Sequence, residues 1–356
     1  MKQKKILFLG ESYRADAITW MNGLREFGGF EIITWELATP SNGLANRVKR
    51  IIEFKLALLS LSALIKKHRP DMVIAERTTS YGFLAAVSGV KPVAIAQQGR
   101  TDLWPENSIL LPLKKLIQHY AFKKADLIHA WGPVMTISMR QAHVDMSKVL
   151  VLPKGINLEQ FKMGSHYENK TTISAIVTRS LLPEYSHNII IKAFGLLNQK
   201  SVDFVLTIVG DGPELPNLKQ LSQKLNIQDR IHFTGRIANT ALPQLLQQSN
   251  FYLSMPVTEG VSASLFEAMA AGSYPLVTDI PGNQSWNRHR ENGQLIAAND
   301  PQMLADELLW ALEHPEYRRV ATLANRTFVE QHADYKTNMK IIADRYHQLI
   351  DSVKPN

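Results

Sequence analysis

Glu259 and Glu267 bracket a segment, Glu259-Gly-Val-Ser-Ala-Ser-Leu-Phe-Glu267, that follows a short apolar run and continues as Ala-Met-Ala-Ala-Gly272. A helix starting near Ser262 or Ala263 and stopping at Gly272, where glycine suits a left-handed cap, leaves Glu259 in the entry loop and Glu267 inside the helix. Both carboxylates can then face one cleft. The first-turn amides around Ala263 and Ser264 have no partner within such a helix, so with the helix dipole they offer a seat for phosphate. Carboxylates beside that seat accept hydrogen bonds from sugar hydroxyls. The segment describes a ligand bearing both phosphate and polyol; the plainer reading is a helix with a capping serine and two solvated glutamates.

Other residues point to the same ligand. Arg179 follows an apolar run, where a guanidinium can clamp phosphate oxygens or make an ordinary surface ion pair. Gly210-Asp-Gly-Pro ends the next run in a tight turn. Thr234-Gly235-Arg236-Ile237 ends the third, where backbone groups can read a nucleobase edge.

Those residues need a scaffold of strands. Short apolar runs alternate with longer helix-like stretches and lack in-out alternation, which predicts parallel strands covered on both faces. The predicted strands are 5–9, 31–35, 71–75, 92–96, 127–130 and 149–152, then 173–178, 204–209, 231–234, 251–254, 275–278 and 293–296. Helices are predicted near 15–27, 44–68, 80–88, 108–124, 133–142, 186–199, 214–225, 240–248, 263–271 and 300–313. The 356 residues suffice for two domains at about 150 residues each. The polar stretch 162–172 is the expected linker, giving domains over 1–165 and 166–334. A terminal helix within 335–356 follows; its docking place is open, the first domain included. Ligands of such sheets bind beyond the carboxyl ends of the strands, so the cleft between the domains is the expected active site.

Composition narrows the classes. With 45% apolar and 20% charged residues the chain is globular, and no apolar run reaches the roughly 18 residues of a spanning helix. The start, Met1-Lys-Gln-Lys-Lys and then Ile6-Leu-Phe-Leu9, reads as a buried strand rather than a signal peptide. The absence of cysteine excludes disulfides and thiolate chemistry, and a cytoplasmic address is expected. Residues 1–165 hold 23 basic and 13 acidic residues, whereas the remainder holds 17 and 19. A basic half attracts phosphorylated ligands, anionic lipid or nucleic acid, unless its lysines are simply solvated. Segment 47–69 is apolar in the middle and basic at both ends, as suits a helix lying on a membrane on the inner face of the plasma membrane; packing against a sheet fits it equally.

The order Arg179, Gly210-Asp-Gly-Pro, Phe233-Thr-Gly235, then Glu259-Gly and Glu267-Ala-Met-Ala-Ala-Gly272 resembles the retaining nucleotide-sugar glycosyltransferases of family four. Leu152-Pro-Lys-Gly155-Ile-Asn157 and Phe161 resemble that family more loosely. The resemblance implies the α/β GT-B fold, two facing Rossmann-like domains with a central cleft. It implies that Glu267 holds the donor ribose, that Glu259 binds the transferred sugar and that Arg179 neutralises the diphosphate with the amides of Ala263 and Ser264. Gly260, Val261 and Ser262 would line the sugar, Arg236 and Ile237 would lie near the base, and Gly210 and Gly235 would belong to the donor site. The donor would be UDP- or GDP-linked, with no cofactor and no metal, since cations and helix amides take over the ion's role.

Two departures stand out. Where the family carries a phosphate-binding lysine, this chain reads Pro183-Glu-Tyr185-Ser-His187-Asn188, so Tyr185 or His187 is expected at the phosphate, or a residue from elsewhere. Where many relatives have a histidine, it reads Gln97-Gln98-Gly99-Arg100, and Gln98 can hydrogen-bond but cannot shuttle protons. Acceptor contacts are expected at Gly10, Tyr13, Arg14, Gln98, Gly99 and Arg100. The implied reaction moves a sugar to an acceptor hydroxyl with retained anomeric configuration, in cell-surface polysaccharide, lipopolysaccharide or glycolipid biosynthesis. The acceptor would be a glycan or lipid-linked; the basic first half and the helix at 44–68 add the expectation of an anionic membrane surface as a further partner. Competing readings are a nucleotide-sugar epimerase or phosphorylase of the same shape and a non-catalytic nucleotide-sugar-binding protein. A nucleic-acid partner is not expected, because no recognition helix or stacking motif is present.

Overall fold

The computed structural model describes residues 3–39, 44–97, 99, 109–164 and 172–353. The chain divides into two compact units, Met1–Lys154 with Tyr335–Asn356, and Gly155–Asp334.

The first unit runs β1 (Lys5–Leu9), α1 (Ala15–Gly28), β2 (Glu31–Trp35), α2 (Leu44–His68), β3 (Met72–Glu76), α3 (Gly82–Val87), β4 (Val93–Gln97), α4 (Leu111–Lys124), β5 (Leu127–Ala130), α5 (Pro133–Gln141) and β6 (Val149–Val151). The strands form one parallel sheet in the order β2-β1-β3-β4-β5-β6. Every residue of β3, β4 and β5 is buried, as strands covered on both faces require. Right-handed crossovers place α1 on one face and α2 to α5 on the other. A π-helical turn, Arg77–Tyr81, precedes α3, so that helix starts later than its sequence suggests.

The second unit runs β7 (Ile173–Thr178), α6 (His187–Gln199), β8 (Phe204–Val209), α7 (Leu215–Lys224), β9 (Ile231–Gly235), α8 (Leu242–Gln248), β10 (Phe251–Ser254), α9 (Ala263–Ala271), β11 (Tyr274–Thr278), α10 (Pro281–Gln284), β12 (Gln294–Ile296), α11 (Pro301–Glu313) and α12 (Pro315–His332). Its parallel sheet has the order β12-β11-β10-β7-β8-β9. The core lies on both faces. Phe194, Leu206, Leu304 and Leu308 belong to one apolar cluster, and Tyr252, Leu265, Phe266 and Val329 to the other.

The boundary between units falls at Lys154 and Gly155, not at 165. Ile156 donates its N–H to the Ala333 carbonyl at 2.9 Å, and Ile156 and Phe161 are buried in the second unit's core. The polar stretch therefore begins after the chain has already joined the second core, and residues 165–171 of it lie outside the described residues.

The terminal helix α13 (Tyr335–Val353) belongs to the first unit and packs on α1. Gly23 admits it: a Cβ there would lie 2.6 Å from the Met339 Cε. Asn338 donates to the Pro153 carbonyl at 2.9 Å, and the Tyr346 hydroxyl lies 2.7 Å from Nε2 of His129. Burial, then the charge of Lys154, pushes His129 down to about 3, so the ring is neutral in ordinary buffers. Tyr346→Phe leaves a buried ring nitrogen unpaired and is expected to cost about 1–3 kcal/mol of stability. Urea unfolding checks this, and an unchanged midpoint would refute it.

Candidate active site

In the second sheet the strand order reverses between β7 and β10, and at such a switch point the loops splay to open a crevice. Arg179 is the first residue after β7, and Glu259 lies in the loop between β10 and α9. The two side chains form an ion pair across the switch point, both largely withdrawn from solvent. The Arg179 guanidinium also lies over the Tyr185 ring, 4.9 Å from its centroid. A planar guanidinium can stack on the ring while its edge meets the carboxylate.

The entry to α9 follows the sequence expectation closely. Ser262 is the N-cap, its hydroxyl accepting from the Leu265 N–H at 3.2 Å, and Gly272 closes the helix with φ 90°. Ala263 and Ser264 occupy the first turn, whose amides have no intrahelical acceptor. Gly260 donates its N–H to Oε1 of Glu259 at 3.2 Å. Glu267 is half-buried on the same helix, and burial pushes its carboxyl up to about 7 against the opposing pull of Arg179. Arg179, Glu259, Glu267 and the α9 amides thus come together, an anion seat flanked by acids that can take hydroxyl donors.

The segment in the place of the family's lysine has a structural task. Pro183–Tyr185 forms a 3-10 turn, and the Glu184 carbonyl accepts the Val257 N–H at 2.9 Å, tying this turn to the loop that carries Glu259. His187 is buried beside Arg179. Burial and then the Arg179 charge push it down to about 4, so it supplies no positive charge.

Two glycines set how closely the site's loops approach. At Gly210, φ 145°, a Cβ would collide with the Arg179 carbonyl. At Gly282, a Cβ would collide with the Glu259 carbonyl oxygen and lie 2.7 Å from its carbon. Gly282 sits in α10 and was not among the sequence candidates, although its Pro281-Gly282 pair is a turn signal. Gly235 adopts φ 69° at the end of β9. Beyond it Arg236 is exposed and Ile237 packs against the core, while Val261 does the same nearer the acids.

The first unit has its own switch point, between β1 and β3. Gly10 follows β1, and a Cβ there would lie 2.9 Å from Oε2 of Glu76. Arg14 and Arg77 both pair with Glu11, at 3.2 and 2.7 Å. Tyr13 projects outward, 69% exposed. Glu76, at the end of β3, is 1% exposed with neither oxygen hydrogen-bonded. Burial and the Asp16 charge push it up to about 7, so it can hold or release a proton near neutrality. Glu76 and Arg77 were missed by the sequence reading, and their signal was a charged pair directly after the apolar run Met-Val-Ile-Ala. Gly99 has φ 76° and its carbonyl accepts from Gln97 Nε2 at 3.3 Å; Gln98 and Arg100 lie outside the described residues. Among the described residues, no three His, Asp or Glu side chains converge as metal ligands.

Two parallel six-stranded sheets flanked by helices are the architecture of GT-B glycosyltransferases. Residues 159–327 match the family model "Glycosyl transferases group 1" and residues 5–130 match "Glycosyl transferase 4-like", one match in each unit. The chain belongs to this glycosyltransferase family. It is 34% identical over 131 residues to the N-acetyl-alpha-D-glucosaminyl L-malate synthase of Bacillus anthracis, covering 36% of this chain and 34% of that relative's length. It is 25% identical over 274 residues to the UDP-Gal:alpha-D-GlcNAc-diphosphoundecaprenol alpha-1,3-galactosyltransferase of Escherichia coli, covering 72% and 70%. Its fold matches that of Anabaena HepE, crystallised with UDP and glucose, at a TM-score of 0.77 with 18% identity over 98% of this chain and all of that one.

Proposed function

We propose that this chain is a retaining, metal-independent glycosyltransferase that moves a sugar from a UDP-sugar to the hydroxyl of a glycan or lipid-linked acceptor. The observation that carries this reading is the Arg179–Glu259 pair beside Glu267 and the N-terminus of α9 at the second switch point. The UDP donor is supported by two proteins similar to this one, the E. coli enzyme named for a UDP-sugar and HepE crystallised with UDP. A diphosphoundecaprenol acceptor in the same relative's name supports a place in surface polysaccharide, lipopolysaccharide or glycolipid synthesis.

In this scheme the nucleotide's diphosphate lies against the α9 amides and draws the Arg179 guanidinium from Glu259. Glu259 is then free to accept hydrogen bonds from the transferred sugar, and Glu267 from the ribose. The bond between the anomeric carbon and the β-phosphate oxygen breaks as charge builds on that oxygen, where Arg179 and the amides stabilise it. The acceptor hydroxyl attacks from the face the leaving group departs, forms the new carbon–oxygen bond and gives its proton to a diphosphate oxygen. No side chain needs to become covalently attached to the sugar.

The test is incubation with UDP-sugars and candidate acceptors, with UDP release and NMR of the product linkage as readouts. Product of the donor's own anomeric configuration, formed equally in EDTA, is expected. Inverted product, or EDTA inhibition reversed by magnesium or manganese, would overturn the mechanism. Full conversion of donor alone to an isomer would establish the epimerase instead, and binding without turnover the non-catalytic protein.

Gly282→Ala should strain the backbone that holds Glu259. Inserting a methyl group at such a contact costs about 1–3 kcal/mol, and release of that strain by loop movement should weaken donor binding about five- to a hundredfold. Titration calorimetry with a nucleotide sugar, beside a thermal melt, reads both effects; unchanged affinity in a folded variant would refute the bracing role.

A further inference from the structure

We infer that the α2–α3–α4 face of the first unit docks on an anionic lipid bilayer. The inference rests on that unit's surface and not on the transferase reading. Right-handed crossovers put these helices on the face opposite α1 and α13, and aromatic contacts join them side by side. Phe54 of α2 stacks on Phe83 of α3, with centroids 6.1 Å apart, and Phe83 meets Tyr120 of α4 at 5.7 Å.

The outward side of these helices is apolar where ordinary surface would be polar. On α2, Ala57 and Leu61 are buried, while Leu56, Leu58 and Leu59 face solvent, Leu59 with 71% of its surface. On α4, Leu113, Leu116 and Tyr120 fall at helical spacing along one exposed stripe, and Ile109 just before it is 92% exposed. α2 therefore does not bury its apolar middle wholly against the sheet.

Charge decides what covers the stripe. α2 carries six Lys or Arg and α4 carries four, against one acid, Glu53. The Glu53 carboxylate is turned to the loop after β2, where it accepts the N–H groups of Ala38 and Thr39. Lys66 and Lys67 at the end of α2, and Lys115, Lys123 and Lys124 beside the α4 stripe, are exposed. Leucines flanked by lysines match a surface of buried acyl chains under anionic headgroups, with lysine stems lying along the apolar layer. A second copy of the chain would bring like charge against like charge, and a nucleic acid would leave the leucines in water.

The test is co-sedimentation of the full chain with vesicles of phosphatidylcholine alone and of phosphatidylcholine mixed with phosphatidylglycerol. Binding to the anionic vesicles only, weakened by high salt, is expected. Leu113→Ser with Leu116→Ser, and separately Lys115→Glu with Lys123→Glu, should each lower that binding about fivefold or more. Lys219→Glu on α7 should not change it, and melting curves and nucleotide-sugar affinity should match the parent in all three. Failure to bind anionic vesicles overturns the proposal. So does binding insensitive to the leucine changes, which would mark a plain polyanion site, or a concentration-dependent dimer that those changes abolish, which would mark a protein interface.

Discussion

Arg179→Ala is expected to lower kcat/KM for the nucleotide sugar by about ten- to a thousandfold, corresponding to about 1.5–4 kcal/mol of transition-state stabilisation. Arg179 is the cation that pairs with Glu259 at the end of β7, and Tyr185 and neutral His187 beside it bring no positive charge. A leaving diphosphate gains charge as the sugar bond breaks, so losing its neutralising partner falls mainly on the transition state. Turnover should therefore fall more than donor affinity. Arg179→Lys should restore little of it, because an ammonium cannot both lie flat on Tyr185 and fork two oxygens. Steady-state rates over a donor series, with calorimetric affinities, separate these effects. A variant with normal kcat would remove Arg179 from the mechanism.

Glu267→Gln should weaken nucleotide-sugar binding about ten- to a hundredfold at pH 8 and much less at pH 6. Burial pushes the Glu267 carboxyl up to about 7, so the neutral form predominates below that pH and the carboxylate above it. Ribose hydroxyls donate most strongly to the carboxylate, and a charge-assisted hydrogen bond is worth about 1.5–3 kcal/mol. The parent's affinity should accordingly rise as pH increases through 7 and then level, while the glutamine variant stays flat and weak. A sugar-linked diphosphate is doubly esterified and does not itself titrate in that range. Binding titrations at several pH values check this, and parallel profiles for parent and variant would sink it. The same raised value means that the folded protein holds this proton more tightly than the unfolded chain. Stability from Glu267 is thus fullest below about 4.5 and declines as pH rises through 7.

The candidate-site motifs were legible because each depends on a local rule. Serine before a helix, glycine after it and an arginine directly after an apolar run have meanings set within a few residues. Sequence passed over α12 because its buried line is Ala321, Asn325 and Val329, with a polar residue where the pattern needs an apolar one. Asn325 is accommodated by Asn292, whose Nδ2 it accepts at 2.9 Å and whose carbonyl it reaches at 2.7 Å. That exchange joins positions far apart in the chain, so no local window contains its cause.

The order of apolar runs, turns and caps determined by itself that this chain builds two parallel sheets, that Arg179 stands at a strand end and Glu259 in a helix entry loop, and that Glu267 lies inside that helix. Only the tertiary structure decided that Arg179 pairs with Glu259, that Gly282 closely approaches the latter's carbonyl, that Glu76 is sealed beneath Gly10 and that α13 returns to α1. Periodicity and capping act over one or two turns of chain. Pairing, close approach and burial depend on which elements the crossovers bring side by side, and strand order is settled by packing across the whole sheet.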